Sequence, residues 1–195
     1  MRPQKIGLLG GSFNPAHAGH LYISETALRT LKLDQIWWLV SPQNPLKSPK
    51  GMGRAEDRIS SAKAIIRTPR IKVSTFEFEL GQTYTAKTIS ALKRSFPDHQ
   101  FVWLMGADNL IQIPKWHQWK TIFETVPVAV FDRPGYTFKA LNGKAARIYS
   151  ESRWFPSGHN RPIADFAGAT APAWTFISQT KHKLSSTELR NIRDS

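Results

Sequence analysis

Short apolar segments alternate with segments of helical periodicity along most of this 195-residue sequence. The first apolar segment, residues 5–10, precedes Leu21, Ser24, Leu28 and Leu31, which recur at the spacing of one helix face. Further segments with strand character lie at residues 35–40, 71–76, 101–105, 126–131 and 174–177. Alternating strands and helices predict an α/β fold, a doubly wound parallel sheet whose ligands bind beyond the carboxyl ends of the strands.

The segments between these strands are predicted to be helical where apolar residues recur at helical intervals. Such spacing occurs around residues 59–66, 86–96 and 111–123. Residues 136–172 are rich in Gly, Pro and Ser with weak periodicity, so no element is predicted there. The length corresponds to about one domain, and we expect residues 1–195 to form a single domain.

The composition excludes several classes of protein. Hydrophobic residues make up 41% and charged residues 21%, as in ordinary globular chains rather than disordered or fibrous ones. The absence of Cys excludes a disulfide scaffold, a zinc ribbon, an iron–sulfur cluster and a catalytic thiol. The net charge of +13 fits a nucleic-acid binder, an anionic-membrane binder or an enzyme of phosphorylated substrates. Because the charge is spread along the chain without a basic tail, a single nucleic-acid-binding arm is not expected.

Neither a membrane span nor a signal sequence is predicted. No apolar run approaches the roughly 18 residues that a span requires. Residues 1–4 lead directly into the first strand-like segment instead of a charged and then apolar leader. We therefore expect a cytoplasmic protein without a membrane partner.

The loop after the first predicted strand carries the most specific chemistry. It reads Gly10-Gly11-Ser12-Phe13-Asn14-Pro15-Ala16-His17-Ala18-Gly19-His20. Gly10 and Gly11 permit a sharp turn and close approach of the backbone to a ligand. His17 and His20 share one face at the start of the next helix, whose N-terminus already favours anions, so the pair suits a polyphosphate. Both parts of this loop also have a simpler explanation: the glycines can form a common turn, and the histidines can be a pair on the surface. A zinc site is not favoured, because the sequence nearby offers no further ligands.

A second candidate site lies near the end of the sequence. Ser185 and Glu188 have the spacing of a capping box for a short helix, which by itself could explain both residues. Lys181, Lys183 and Arg190 surround the hydroxyl groups of the 185–187 segment with positive charge. Such a segment is suited to holding a phosphate.

Together these two motifs resemble those of a known family. Residues 10–20 resemble the G-G-x-F-x-P-x-H-x-G-H signature of nucleotidyltransferases, and residues 184–190 resemble their I-S-S-T-x-x-R motif, with Leu184 in place of Ile. Among these enzymes the chain is most similar to the bacterial nicotinate-nucleotide adenylyltransferases. The resemblance implies a Rossmann-like nucleotidyltransferase fold and adenylyl transfer from ATP to nicotinate mononucleotide, giving deamido-NAD and pyrophosphate in NAD biosynthesis.

Internal segments support this family over its relatives. Thr83-Tyr84-Thr85 resembles the element whose backbone amides receive the nicotinate carboxylate, and Trp116 matches the tryptophan beside the pyridine ring. The alternatives are that Thr83 or Thr85 caps the following helix and that Trp116 or Trp119 belongs to the core.

Three further positions follow the ends of predicted strands. Gly106-Ala107-Asp108 resembles the element whose Asp meets nucleotide ribose hydroxyls or orders the nearby site, although Asp108 could also be a helix N-cap. Arg133-Pro134-Gly135 follows the fifth strand as in relatives, where backbone contact with the nucleotide is implied. Lys47 stands where the family carries a basic residue, with Leu46 replacing the usual preceding His.

The resemblance implies a role for each of these residues. The residues that act on the reacting phosphates are His17, His20, Thr187 and Arg190. The residues that bind ATP are Gly10, Gly11, Ser12, Phe13, Gly19, Gly106, Asp108, Ser185 and Ser186. The residues that bind nicotinate mononucleotide are Asn14, Lys47, Thr83, Tyr84, Thr85, Trp116 and Arg133.

The expected cofactor is Mg²⁺ held mainly by the ATP phosphates, with no protein residue assigned as a metal ligand. The expected partners are ATP and nicotinate mononucleotide, not a nucleic acid, and a homo-oligomer stays open. Two alternatives remain: adenylyl transfer to nicotinamide mononucleotide or phosphopantetheine, and a basic nucleic-acid-binding domain.

Overall fold

The computed structural model describes residues 2–42, 51–81, 83–156 and 161–178. The described part of the chain contains one sheet of seven strands in the order β3-β2-β1-β4-β5-β7-β6, and every neighbouring pair is parallel. The strands are β1 (Lys5–Gly11), β2 (Gln35–Val40), β3 (Ile71–Ser74), β4 (Gln100–Gly106), β5 (Val128–Phe131), β6 (Arg153–Trp154) and β7 (Trp174–Ile177). The predicted doubly wound parallel sheet is confirmed.

Helices connect these strands and cover both faces of the sheet. The α-helices of the described residues are α1 (Ala18–Thr30), α2 (Ala55–Ile65), α3 (Phe76–Glu79), α4 (Thr85–Ser95), α5 (Ala107–Gln112), α6 (Trp119–Thr125), α7 (Thr137–Leu141) and α8 (Lys144–Ile148). Short 3₁₀ helices lie at Ile113–Lys115, Ser150–Ser152 and Ile163–Gly168. No helix within these described ranges has the length and apolar character needed to cross a membrane.

The apolar side chains of the central strands form one core on each face of the sheet. On one face Leu8 and Trp103 pack with Ile89 of α4 and Leu110 of α5. On the other face Leu9 and Leu104 pack with Leu28 of α1 and Ala62 of α2. Because both faces are buried, the strands read as continuous apolar runs rather than as alternating ones.

Two predicted elements differ from the structure. The helix predicted over residues 111–123 is divided into α5, a 3₁₀ turn and α6. Pro114 lies in the turn and lacks the N–H that a continuing helix needs, and Gln118 adopts a left-handed φ of 50° just before α6. The strand predicted to reach Phe76 ends at Ser74, and Phe76 begins α3. The segment left without prediction contains α7, α8 and the edge strand β6.

The chain changes direction across the sheet between β1 and β4. After β1 it adds β2 and β3 on one side, and it then returns to add β4 and β5 on the other side. The carboxyl ends of β1 and β4 therefore border a crevice of the kind in which open α/β sheets bind ligands. The loops that the sequence marked for chemistry follow these two strands and their neighbours β2 and β5.

Gly10 lies at the carboxyl end of β1 against the indole of Trp103. A Cβ atom at Gly10 would overlap the far edge of this ring, and Trp103 is only 2% exposed. We expect Gly10→Ala to lower the free energy of unfolding by about 1–3 kcal/mol, as overpacking of a filled core does. The measurement is urea unfolding of the ligand-free protein.

The neighbouring Gly11→Ala variant is the matched control for this prediction. A Cβ at Gly11 would lie 3.4 Å from the Phe13 ring, an ordinary contact distance, so we expect little loss of stability. Equal losses in the two variants would contradict the steric role assigned to Gly10.

Candidate active site

The turn after β1 is held in place by Phe13. Phe13 adopts a φ of 46°, a left-handed conformation that is unfavourable for a bulky residue. Its ring is buried and stacks on Trp38 of β2, with ring centroids 5.0 Å apart and planes inclined by 18°. Burial of this aromatic anchor stabilises the strained turn that leads from the sheet to α1.

His17 and His20 cap the N-terminus of α1 reciprocally. His17 is the N-cap residue, and its Nδ1 accepts a hydrogen bond from the Gly19 backbone N–H at 3.1 Å. The His17 backbone N–H in turn donates to Nδ1 of His20 at 3.1 Å. Since both Nδ1 atoms are acceptors, each neutral imidazole carries its proton on Nε2. The capping box thereby turns both rings into Nε2–H donors at the N-terminus of a helix.

The two rings have fixed neighbours. Their centroids lie 3.9 Å apart, and the His20 ring lies 4.7 Å from Phe13 and 5.8 Å from Trp38. The first turn of α1 contains no acidic residue, so the positive potential of its N-terminus is not offset there. Packing and charge give this end of α1 the features that favour an anion. Phosphate binding by the histidine pair stays a prediction.

Asn14 connects the same loop to the chain that enters α2. Its Nδ2 donates to the Gly51 carbonyl at 2.9 Å, and its Oδ1 accepts from the Gly53 N–H at 3.2 Å. Both ends of the Asn14 amide therefore hold protein backbone here, although the sequence analysis expects Asn14 to bind the acceptor nucleotide.

Asp108 and Arg133 meet beyond the ends of β4 and β5. Arg133 Nη1 donates to Asp108 Oδ2 at 2.7 Å, and the Arg133 guanidinium lies 5.5 Å from the ring centroid of Tyr136. Gly106 is the N-cap residue of α5, and Asp108 lies in the first turn of that helix. The alternative that Asp108 is itself the N-cap is therefore wrong, and its carboxylate faces the neighbouring loop instead.

The segment around Tyr84 lies beside the segment around Trp116. Tyr84 is the N-cap residue of α4 but makes no side-chain cap bond, which excludes Thr83 and Thr85 as the cap. The Tyr84 ring contacts His117, with ring centroids 4.5 Å apart. Trp116 is partly buried against the larger core, as is Trp119. The structure thus brings together the two segments that the sequence predicted for the acceptor, and it adds His117, which the sequence analysis did not single out.

Five predicted site residues lie outside the described residues. They are Lys47, Ser185, Ser186, Thr187 and Arg190. Their assignments rest on the resemblance of their motifs.

Sequence reasoning missed two buried charged residues behind this site, Arg58 and Glu77. Arg58 is 3% exposed and donates to backbone carbonyls of the loops that follow β1 and β2. Glu77 is 4% exposed and accepts hydrogen bonds from Thr88 Oγ1 at 3.1 Å and from the Ser41 hydroxyl. No spacing or motif signals them, because a charged residue in a helical segment is ordinarily expected to face solvent.

Burial raises the pKa of Glu77 from 4.5 to about 7, against the opposing effect of its hydrogen bonds with Thr88 and Ser41. At a pH between these two pKa values, Glu77 has lost its proton in the unfolded chain but keeps it in the folded chain. The free energy of unfolding therefore falls as the pH rises, and it levels off above neutrality. We expect the wild-type protein to lose roughly 3 kcal/mol of unfolding free energy between about pH 4 and pH 8 relative to Glu77→Gln. Urea unfolding across this range measures the difference.

Glu79→Gln is the control for this effect, because it makes the same change on an exposed residue of the same helix. A Glu77→Gln protein whose stability follows the wild-type pH curve would contradict the prediction.

Comparison with known proteins places this chain in a family. The Cytidylyltransferase-like family model matches residues 8–192. A probable nicotinate-nucleotide adenylyltransferase of Parvibaculum lavamentivorans is 49% identical over 186 residues, which cover 95% of this chain and 90% of the relative. One of Agrobacterium fabrum is 47% identical over 190 residues, which cover 95% of this chain and 97% of the relative.

Solved structures agree on the fold. The nicotinic acid mononucleotide adenylyltransferase of Plasmodium falciparum, solved with APC, superimposes with a TM-score of 0.71 and 16% identity, covering 96% of this chain and 83% of that one. The same enzyme solved with NaAD superimposes with a TM-score of 0.71 and 17% sequence identity, covering 95% of this chain and 82% of that one. The parallel sheet, the histidine pair at its switch point and nearly full-length relatives all agree, and the chain belongs to the nicotinate-nucleotide adenylyltransferase family of cytidylyltransferase-like proteins.

Proposed function

We propose that this chain transfers the adenylyl group of ATP to nicotinate mononucleotide, releasing pyrophosphate and forming deamido-NAD in NAD biosynthesis. The main support is the reciprocal cap of His17 and His20. It sets two N–H donors at the N-terminus of α1, beside the crevice between β1 and β4. This is a preformed site for a polyphosphate. The relatives at 47–49% identity, which align with nearly the whole chain, are named for this activity.

The triphosphate lies, in this proposal, against the loop that joins β1 to α1. The Nε2–H groups of His17 and His20 donate to phosphate oxygens, and the first-turn amides of α1 add their positive potential. Since both donors are oriented by the cap before ATP arrives, little reorganisation is needed during the reaction. The motif of residues 184–190 resembles that of the family, and on this ground we propose that Ser185, Ser186, Thr187 and Arg190 also bind the triphosphate.

The nicotinate ring lies between the two segments joined by the Tyr84–His117 contact. The first turn of α4 has no acidic residue and no side-chain cap, so its N-terminus favours a carboxylate. Trp116 offers an aromatic surface beside it. Arg133 lies beyond the carboxyl end of β5, where it is paired with Asp108, and it supplies positive charge for the acceptor nucleotide. Asp108 meets the ribose hydroxyls in this proposal.

The chemistry is an in-line displacement. An oxygen of the acceptor phosphate forms a bond to the α-phosphorus of ATP, the bond from that phosphorus to its bridging oxygen breaks, and pyrophosphate leaves with the electron pair. The acceptor phosphate is already an anion near neutral pH, so no general base is required. Alignment and neutralisation of charge account for the rate enhancement.

The donor set fits Mg²⁺ carried by the substrate. Because Nδ1 of each site histidine accepts a backbone N–H, Nε2 is protonated and donates to phosphate rather than ligating a metal. Phosphate oxygens and water are the ligands that Mg²⁺ prefers, and when bound it supplies further neutralisation of the triphosphate.

An acceptor panel tests this function. Purified protein is incubated with ATP, Mg²⁺ and one acceptor at a time: nicotinate mononucleotide, nicotinamide mononucleotide or phosphopantetheine. We expect pyrophosphate and a dinucleotide in equal amounts with the nicotinate acceptor. Turnover only with phosphopantetheine would assign another acceptor. Salt-dependent binding of nucleic acid without turnover would favour the nucleic-acid-binding alternative.

A further inference from the structure

The guanidinium of Arg58 connects three separate segments at the carboxyl edge of the sheet. Its Nη1 donates to the Ser12 carbonyl at 2.7 Å and to the Ser41 carbonyl at 2.8 Å. Its Nη2 donates to the Pro42 carbonyl at 3.1 Å, and its Nε donates to the Gly53 carbonyl at 3.1 Å. One side chain thus holds the loop after β1, the chain that leaves β2 and the chain that enters α2.

The position of these carbonyls explains why a guanidinium is needed. The Ser41 N–H donates to the Gly11 carbonyl at 2.9 Å, the last backbone bond that the described residues show between the chains that continue β1 and β2. Beyond that point the Ser12 and Ser41 carbonyls share Nη1 of Arg58 as a donor. The planar fork, with five N–H donors, can reach carbonyls in several directions at once, whereas an ammonium acts from a single point.

The charge of Arg58 is held by carbonyl dipoles. Among the described residues, ion pairs join Arg54 to Asp57 and Arg133 to Asp108, and neither includes Arg58. Arg58 is nevertheless 3% exposed. Four charge-assisted bonds to carbonyls compensate for its desolvation. Arg58 and the four carbonyls that it binds, here called the brace, contact the loop that leads to His17 and the start of α1.

We propose that Arg58 is a positioning residue for adenylyl transfer, which rests on the function proposed above. Its guanidinium fixes the loop that holds the triphosphate against the carboxyl end of β2 and the start of α2, and so sets where the α-phosphorus lies relative to the attacking phosphate. Within the described ranges the hydrogen bonds of the Arg58 guanidinium all go to backbone carbonyls, and it acts on the loop through Ser12. Small displacements of reacting groups lower the rate strongly: a shift of about 1 Å can reduce it roughly 10²-fold.

The test compares Arg58→Lys with Arg70→Lys. Arg70 is the matched control because its guanidinium also donates to backbone carbonyls, those of Leu33 and Asp34, but at the opposite edge of the sheet. At a temperature where both variants are folded, we expect kcat of Arg58→Lys to fall about 10²-fold while its Kd for ATP, from calorimetry, changes less than tenfold. Arg70→Lys should keep the wild-type kcat.

Three results would overturn the proposal. A wild-type kcat together with a wild-type melting temperature in Arg58→Lys would mean that only the charge matters, because Lys keeps the charge and loses the fork. A lowered melting temperature with unchanged kcat would mean a purely structural role. A loss of ATP affinity equal to the loss of kcat would mean that Arg58 contributes to ground-state binding.

A measurement on the wild-type protein covers the case in which Arg58→Lys does not fold. We expect the Nε–H of Arg58 to exchange slowly with solvent, by nitrogen-detected NMR, both without and with ATP. Rapid exchange, or a large shift on ATP binding that marks transfer of the guanidinium to phosphate, would contradict a brace. Failure of the proposed function itself is distinguishable, since wild-type protein would then release no pyrophosphate with nicotinate mononucleotide.

Discussion

Nicotinate mononucleotide is expected to be used with a kcat/KM roughly 10⁴-fold above that of nicotinamide mononucleotide. The first turn of α4 has no side-chain cap, and it presents backbone N–H donors and positive potential beside His117, the residue after Trp116. A carboxylate accepts from such donors, whereas the NH₂ of an amide faces them with a donor and leaves polar groups unpaired. Initial rates with each acceptor at saturating ATP measure the ratio. Comparable values for the two acceptors would contradict the assignment.

Thr85→Pro isolates one of these donors. Thr85 is the first residue of α4, a position where proline is well tolerated, and Tyr84 before it has the extended backbone that a following proline requires. The change removes one N–H, and we expect the preference for the acid to fall about 10- to 100-fold, the cost of one bond to a charged group. Thr85→Ala keeps the N–H and is the control. An unchanged preference in Thr85→Pro would exclude this amide from carboxylate recognition.

The sequence predicted the elements that depend on local patterns. The parallel sheet follows from buried apolar runs that alternate with helical spacing, and the placement of His17 and His20 follows from their position just after the β1 turn. These features are determined by residues close together in the chain. Pro114 is also a local feature, and it interrupts the helix predicted over residues 111–123 because it lacks the N–H that a continuing helix needs.

The brace behind the site could not be predicted in this way. Arg58 donates to carbonyls at Ser12, Ser41 and Gly53, and backbone carbonyls carry no sequence signature. Glu77 is buried although carboxylates usually face solvent. Both depend on where distant segments meet in three dimensions.

Gly10 shows that one residue can satisfy two requirements. Its place in the turn after β1 suits close approach of the backbone to a ligand, and the structure adds a steric requirement from Trp103, which lies more than ninety positions further along the chain. Packing against Trp103 alone is enough to require glycine there. The glycine of the turn is therefore weaker support for a phosphate site than the histidine cap that follows it.

His20→Ala is expected to lower kcat roughly 10²- to 10³-fold, which is typical for loss of one preorganised donor to developing charge. In the proposed site the Nε2–H of His20 donates to the bridging and leaving phosphate oxygens, which gain charge as the bond to the α-phosphorus breaks. The melting temperature should fall much less, because the substitution removes one capping acceptor, worth about 1 kcal/mol. Steady-state kinetics with both substrates varied and thermal unfolding of the same preparation give the two quantities. A near-normal kcat would place His20 outside the reaction.

Two further substitutions separate the cap from the donor. His20→Asn can keep an acceptor near the position of Nδ1 for the His17 N–H, but it has no donor at the position of Nε2, so we expect near wild-type stability with the kcat of His20→Ala. His20→Gln places an N–H near that position and should recover part of the rate. His99→Ala is the control for removal of an imidazole and should keep the wild-type kcat. His99 stacks on Phe96 just before β4, at the amino ends of the strands and so away from the site. If His20→Asn were as active as the wild type, the role of His20 would be limited to capping α1.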